Sequence, residues 1–117
     1  MEEESIKYYY IGDKSSKFSY IDGKMNGEYI TYYRSGDILS KCNYIDSKKN
    51  GEYIEYYMTG EIDFIETYSN GKMNGTSISY YISGEIYSIY YYIDNNRVSD
   101  EEWLSYNRNL ILESIGL

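Results

Sequence analysis

The sequence predicts an all-β fold, a single-layer antiparallel meander of successive 24-residue β-hairpin repeats with a C-terminal capping α-helix. Three observations support this prediction. Paired tyrosines recur at a constant spacing, each repeat contains two short segments typical of strands, and the pattern changes near residue 98. Self-similarity at a fixed period is the signature of a repeat architecture.

The repeat continues along the chain without a gap. Its tyrosine pairs begin at Tyr8, Tyr32, Tyr56 and Tyr80, and the glycine after each pair is Gly12, Gly36, Gly60 or Gly84. We therefore divide the chain into an N-terminal acidic tail at 1–7, repeats at 8–97 and a C-terminal helix at 98–117. The repeats comprise a partial unit at 8–25 and full units at 26–49, 50–73 and 74–97.

Each full unit is interpreted as two strands. Segment 28–33 is rich in β-branched and aromatic residues, which suit a pleated sheet. A turn follows, in which Gly36 can adopt a positive φ at no steric cost. Segment 38–45 is the return strand, and the polar connection after it contains Asn50-Gly51, a strong hairpin signal. The partial unit is expected to lack its leading strand.

The end of the chain has the signals of a helix over 99–115. Ser99 and Glu102 form a predicted capping box, and acidic residues in the first turn favour the helix dipole. Gly116 is a suitable C-terminal stop. The apolar residues of one helix sector are Trp103, Leu104, Leu110, Ile111, Ile115 and Leu117. We expect this helix to cap the last repeat, because the end of a repeat array needs a cover.

Alternation along the strands predicts the binding surface. Ile30 and Tyr32 share a face of one strand, and Ile38 and Tyr44 share a face of the next. A single-layer sheet cannot cover both faces, and tyrosine is enriched at interface hot spots. The predicted partner-binding residues are Tyr32, Tyr56, Tyr80, Tyr44, Tyr68 and Tyr92. A second hypothesis is a basic rim on one sheet edge, formed by Lys24, Lys48 and Lys72.

Composition argues against several other classes. A net charge of −8 disfavours nucleic-acid binding, which needs clustered Lys and Arg. The chain has no His and a single cysteine, Cys42, so zinc-finger spacings and His-based catalysis are absent. The recurring acids Asp37, Glu61 and Glu85 are interpreted as solvated turn residues. We expect no enzyme activity, no metal and no cofactor.

The repeat unit resembles the MORN repeat, most closely the variant of the bacterial YwqK antitoxin family. The residues that carry the resemblance are Asn50-Gly51-Glu52-Tyr53, Tyr56-Tyr57, Gly60, Ile62, Tyr68 and Asn70-Gly71-Lys72. The resemblance covers 8–97 and implies one elongated sheet of hairpins, curved like a gutter. It also implies a non-catalytic binding or scaffolding role, and, for the YwqK-like proteins, toxin neutralisation.

These features together predict a protein–protein interaction or scaffold module that acts through its tyrosine-rich face. A basic partner is favoured by the acidic ends, and self-association through the tyrosine face or the N-terminal edge strand near 8–11 is a further expectation. The alternatives are an antitoxin or immunity protein and a membrane-associated scaffold. The acidic N-terminus predicts an intracellular, cytoplasmic location. The composition is typical of genomes poor in G and C, such as those of some bacteria and giant viruses.

Overall fold

A computed structural model describes residues 4–11 and 14–117, with side chains described at 16–18 and 20–117. Residues 1–3 of the predicted acidic tail, and Gly12 and Asp13 of the repeat pattern, lie outside the described residues. The strands are β1 (Glu4–Ile11), β2 (Lys14–Ile21), β3 (Lys24–Met25), β4 (Gly27–Tyr32), β5 (Ile38–Ile45), β6 (Lys48–Tyr56), β7 (Ile62–Ser69), β8 (Lys72–Tyr80), β9 (Ile86–Ile93) and β10 (Asn96–Val98), and the helix is α1 (Asp100–Ser114).

The strands form one antiparallel sheet in which sequence neighbours are also spatial neighbours. β3 and β4 both pair with β2 and are two parts of one leading strand, interrupted at Asn26. This architecture is the meander of hairpins that the period predicts. The expectation that the partial unit lacks a leading strand is wrong, because β1 pairs with β2 from Glu4 opposite Ile21 to Ile11 opposite Lys14.

Two-residue turns join each return strand to the next leading strand. Asp46 and Ser47 both have a positive φ, 49° and 64°, as the central residues of a type I′ turn require. The prediction of a hairpin at Asn50-Gly51 is wrong, since this pair lies inside β6. Asn50 instead accepts a hydrogen bond of 2.8 Å from the backbone N–H of Asn70, in the next turn of the same type. The asparagine thus ties the leading strand β6 to the turn between β7 and β8 within the same unit.

At the opposite ends of the strands, a longer turn with a constant hydrogen-bond pattern joins each leading strand to its return strand. The Tyr33 N–H donates to the Asp37 carbonyl at 2.8 Å, and the Gly36 N–H donates to the Tyr33 carbonyl at 2.9 Å. Gly36 has a φ of 94°, which confirms the predicted positive φ. The same pattern recurs from Tyr57 and from Tyr81. The three turns therefore share one hydrogen-bonded conformation.

A β-bulge follows each of these longer turns. Thr31 lies opposite Ser40, but Tyr32 lies opposite Ile38, so Leu39 is an extra residue in the return strand. The same shift occurs between β6 and β7 and between β8 and β9. An extra residue interrupts the side-chain alternation of a strand. The bulge thus decides which face the rest of each return strand presents.

Directly paired residues define the two faces of the sheet, because they point to the same side. The isoleucine face carries one row across seven strands: Lys17, Ile30, Lys41, Ile54, Ile65, Ile78 and Ile89. The opposite side, which we call the cysteine face, carries a parallel row: Ser16, Thr31, Ser40, Glu55, Phe64, Ser79 and Ser88. Cys42 lies on this face because it is two residues from Ser40 in β5.

Burial is sparse and one-sided. Among the described side chains only Phe18, Ser40 and Cys42 are buried, at 8%, 3% and 4% exposure, and all three lie on the cysteine face. The radius of gyration is 17.0 Å, against about 13 Å for a compact chain of this length. The accessible surface is 8093 Å², whereas a compact monomer of this mass exposes about 6,700 Å². The excess, about 1,400 Å², is the cost of a sheet with no second layer.

The C-terminal helix begins and ends as predicted. Ser99 is the N-cap, and its hydroxyl and the Glu102 carboxylate form the reciprocal capping box. At the other end, the Gly116 N–H donates to Glu113 and the Leu117 N–H donates to Leu112, which is the Schellman pattern.

The predicted capping contact is confined to the start of the helix. Trp103 stacks on Tyr91 with ring centroids 5.4 Å apart, on the isoleucine side of β9. The rest of the predicted apolar sector remains exposed in the described structure, at Leu104, Leu110, Ile111, Ile115 and Leu117. The helix therefore stacks on β9 and leaves most of its apolar side open.

Candidate functional site

The six predicted binding tyrosines lie on two different faces. Tyr32, Tyr56 and Tyr80 follow the row isoleucines by two residues and share their face; the Lys41 ammonium lies 5.9 Å from the centre of the Tyr56 ring. The other three lie on the cysteine face: Tyr44, Tyr68 and Tyr92. The prediction of a single shared face is therefore wrong, because the bulge after each longer turn reverses the alternation.

Each of the three predicted binding tyrosines on the cysteine face lies opposite a glycine. Tyr68 is paired with Gly51, and the corresponding pairs are Gly27 with Tyr44 and Gly75 with Tyr92. Sequence reasoning missed this pairing, although the glycine and the tyrosine keep a constant separation in every unit.

The aromatic side chains of the cysteine face form what we call the tyrosine groove, lined by Tyr29, Tyr44, Tyr53, Tyr68, Cys42 and Lys49. Tyr29 is paired with Cys42 and lies 5.8 Å from Tyr44, centroid to centroid. Phe18 stacks on Tyr29 at 5.3 Å and closes the end nearest β2. Much of the groove is a cavity of about 510 Å³, open to solvent, with Ser16, Thr31 and Ser40 in its lining. Tyr32 and the bulge residue Leu39 also border this cavity, so of the three tyrosines assigned to the isoleucine face Tyr32 reaches the groove as well. Thr31 and Ser40 hydrogen-bond to each other.

Lys49 shows how this groove receives a cation. Its ammonium lies 4.5 Å from the centre of the Tyr53 ring and 5.0 Å from that of Tyr68. Both distances are within the range of a cation–π interaction. Near the C-terminal end of the same face, the Arg97 guanidinium lies 3.6 Å from the centre of the Tyr90 ring. The face thus binds its own cations through tyrosine rings.

The groove keeps its cysteine thiol and its tyrosine hydroxyls neutral. Burial raises the pKa of Tyr68 to about 12, and the neighbouring Glu66 carboxylate adds to the effect. Burial also raises the pKa of Tyr44 and Tyr53. It raises the pKa of the Cys42 thiol, against a lowering effect of Lys49. The thiol therefore stays protonated near neutral pH, and the tyrosine hydroxyls remain available as hydrogen-bond donors.

The lysines of the predicted basic rim do lie along one edge. Lys48 and Lys72 are the first residues of β6 and β8, Lys24 begins β3, and all three are exposed. The edge is not uniformly basic, because Asp46 lies in the turn before Lys48 and Asp22 in the turn before Lys24.

In residues 4–11 and 14–117, no group of three or more His, Cys, Asp or Glu side chains is placed to hold a metal ion. Over the same residues, α1 is the sole helix, and a bilayer-crossing helix would have to be longer and more apolar.

In comparisons with known proteins, no family model matches the chain and no curated protein is significantly similar to it. The function must therefore be argued from the geometry of the two faces.

Proposed function

We propose that the protein is a non-catalytic protein-interaction module that binds a basic segment of another protein in the tyrosine groove. The observation that supports this most is the groove itself, a solvent-open cavity of about 510 Å³ lined by half-buried aromatic side chains on one face of a single-layer sheet. Concave sites with apolar and aromatic walls and a few polar groups typically bind ligands. The resemblance to MORN repeats is consistent with a binding role.

The choice of a basic segment follows from the groove's own cations. Lys49 lies between Tyr53 and Tyr68, so neighbouring rings have the geometry to take a Lys or Arg of a partner. Glu55 and Glu66 lie on the same face as these rings. The net charge of −8 favours the approach of a positively charged partner, mainly through the association rate.

The repeat structure provides matched variants for the test. Tyr44→Ser with Tyr68→Ser removes two rings of the groove, and Tyr56→Ser with Tyr80→Ser removes two rings from the isoleucine face. Both pairs change the same residue type in neighbouring repeats. Purified wild-type and variant chains would be used as bait in lysate of the native source, with captured proteins quantified by mass spectrometry. Circular dichroism would establish that each variant is folded.

We expect a protein captured in stoichiometric amount by the wild type to be retained by the isoleucine-face variant and lost with the groove variant. A Lys/Arg-rich peptide from that protein should then bind the wild type, and more weakly as salt concentration rises. Equal capture by both variants would refute the groove as the binding surface. Loss with the isoleucine-face variant alone would move the site to the opposite face.

A further inference from the structure

Part of one side of β9 has no neighbouring strand in the described structure. β10 pairs with β9 only from Tyr91 to Ile93, so residues 86–90 of β9 have no strand beside them on that side among the described residues. Four of their side chains are exposed, Ile86, Tyr87, Ile89 and Tyr90. An apolar edge strand with unpaired backbone groups is a template for another strand.

The described chain carries a matching half-strand at its other edge. A complete leading strand has nine residues, as in β8 (Lys72–Tyr80). In the 24-residue frame, β10 corresponds to the first three residues of β8, and β1 begins at the position of Thr76. If β10 of one copy and β1 of another stood end to end, one repeat position between them would be unfilled. The strands β3 and β4 are likewise separated by one residue, Asn26.

We propose that β1 of a second copy adds to the open edge of β9, next to β10, and so completes the split leading strand. β1 precedes a return strand, as β8 does, and would run antiparallel to β9 as the meander requires. The register follows from the preceding repeat, in which Ile65 of β7 lies opposite Ile78 of β8. Ile89 has the repeat position of Ile65, and Ile6 has the repeat position of Ile78. The same pairing therefore places Ile6 of the second copy opposite Ile89.

An open cavity of about 600 Å³ lies beside this edge, with Ile89 and Tyr90 on one side and Ser99 and Asp100, at the start of α1, on the other. The helix then stacks its Trp103 on Tyr91 over the isoleucine face, and Ile89 is 39% exposed. Because each copy offers one donor strand and one acceptor edge, the contact is head-to-tail and can propagate beyond a dimer. It is separate from the tyrosine groove, so either proposal can fail alone.

Disulfide trapping tests the proposed register in the full-length chain. Paired residues of antiparallel strands have Cα atoms about 4.5–5.5 Å apart, which a disulfide can span. Ile6→Cys and Ile89→Cys chains would be mixed under mild oxidation and analysed by non-reducing electrophoresis. Cys42 is 4% exposed, so the wild-type chain measures its background. Met58→Cys mixed with Ile6→Cys is the control, because Met58 is an exposed apolar residue in the turn of a middle repeat.

We expect a cross-linked dimer in the Ile6→Cys and Ile89→Cys mixture and only background in the control. By sedimentation velocity, the mass of the wild type should rise with concentration past the 27.8 kDa of two 13.9 kDa chains. Ile89→Lys should keep the chain monomeric, since an edge lysine opposes pairing. A wild type that stays at 13.9 kDa, or Ile89→Cys that cross-links as well alone as in the mixture, would overturn the head-to-tail assignment.

Discussion

Replacement of Gly75 by alanine is the sharpest test of a second bulge, in the leading strand β8, whose pairing with β7 shifts register between Glu66 opposite Ser77 and Tyr68 opposite Met73. Gly75 has a φ of +132°, and an added Cβ would stand 3.0 Å from the Thr67 Cβ and 3.1 Å from its Cγ2. Gly51 occupies the same repeat position with a φ of +86°, but an added Cβ there would meet no atom within 4 Å. The two glycines therefore separate backbone strain from steric contact.

The expected magnitudes follow from these two environments. A positive φ costs an alanine about 1–2 kcal/mol, which should be the whole effect at Gly51. Contact with the β-branched Thr67 should add about 1–3 kcal/mol at Gly75, because both atoms belong to paired strands that cannot move apart freely. We thus expect Gly75→Ala to lower the free energy of unfolding by about 2–4 kcal/mol.

Urea denaturation followed by circular dichroism would measure both values. Thr67→Ala in the Gly75→Ala background removes the Thr67 Cγ2 but keeps its Cβ, so it should restore part of the steric loss. The double-mutant cycle isolates the coupling between the two positions. Equal destabilisation by Gly51→Ala and Gly75→Ala would refute the contact with Thr67. Full stability of both variants would refute the left-handed backbone at the bulge.

Two further predictions concern tyrosine hydroxyls. Tyr57→Phe should lower the urea midpoint of unfolding, because the Tyr57 hydroxyl donates to the Tyr80 carbonyl at 2.6 Å and the substitution leaves that carbonyl without its donor. Tyr81→Phe, at the same repeat position and 50% exposed, should lower the midpoint less, and a reversed order of the two variants would contradict this assignment. The pKa of Tyr68 is raised to about 12 in the fold, from about 10 in an unfolded chain. Its contribution to stability should therefore be complete below pH 10 and lost as pH rises through 12. Tyr68→Phe should flatten the alkaline loss of stability in that window, and an unchanged pH profile would contradict the shift.

Much of the fold was predictable from local chemistry. The turn at Gly36 and the capping box of Ser99 and Glu102 depend on residues a few positions apart, and both form as predicted. The two-residue turns were less predictable, because Asn50-Gly51 has the signature of a type I′ turn but lies inside β6. The actual turn, Asp46-Ser47, needs no glycine, since its positive φ values are supported by the preceding repeat: the Ser47 N–H donates to the Met25 carbonyl at 2.9 Å.

The sequence by itself determined the period, the order of strands and the start of the helix, because each depends on contacts within one repeat or one turn. The faces were decided by the tertiary structure. Alternation assigns sides only within an unbroken strand, and the extra residue Leu39 changes the side on which Tyr44 lies. Whether a bulge forms depends on how two strands pair across a turn, and that pairing is set by the whole sheet. Tyr44 and Tyr56 therefore belong to opposite surfaces, although their sequence patterns look alike.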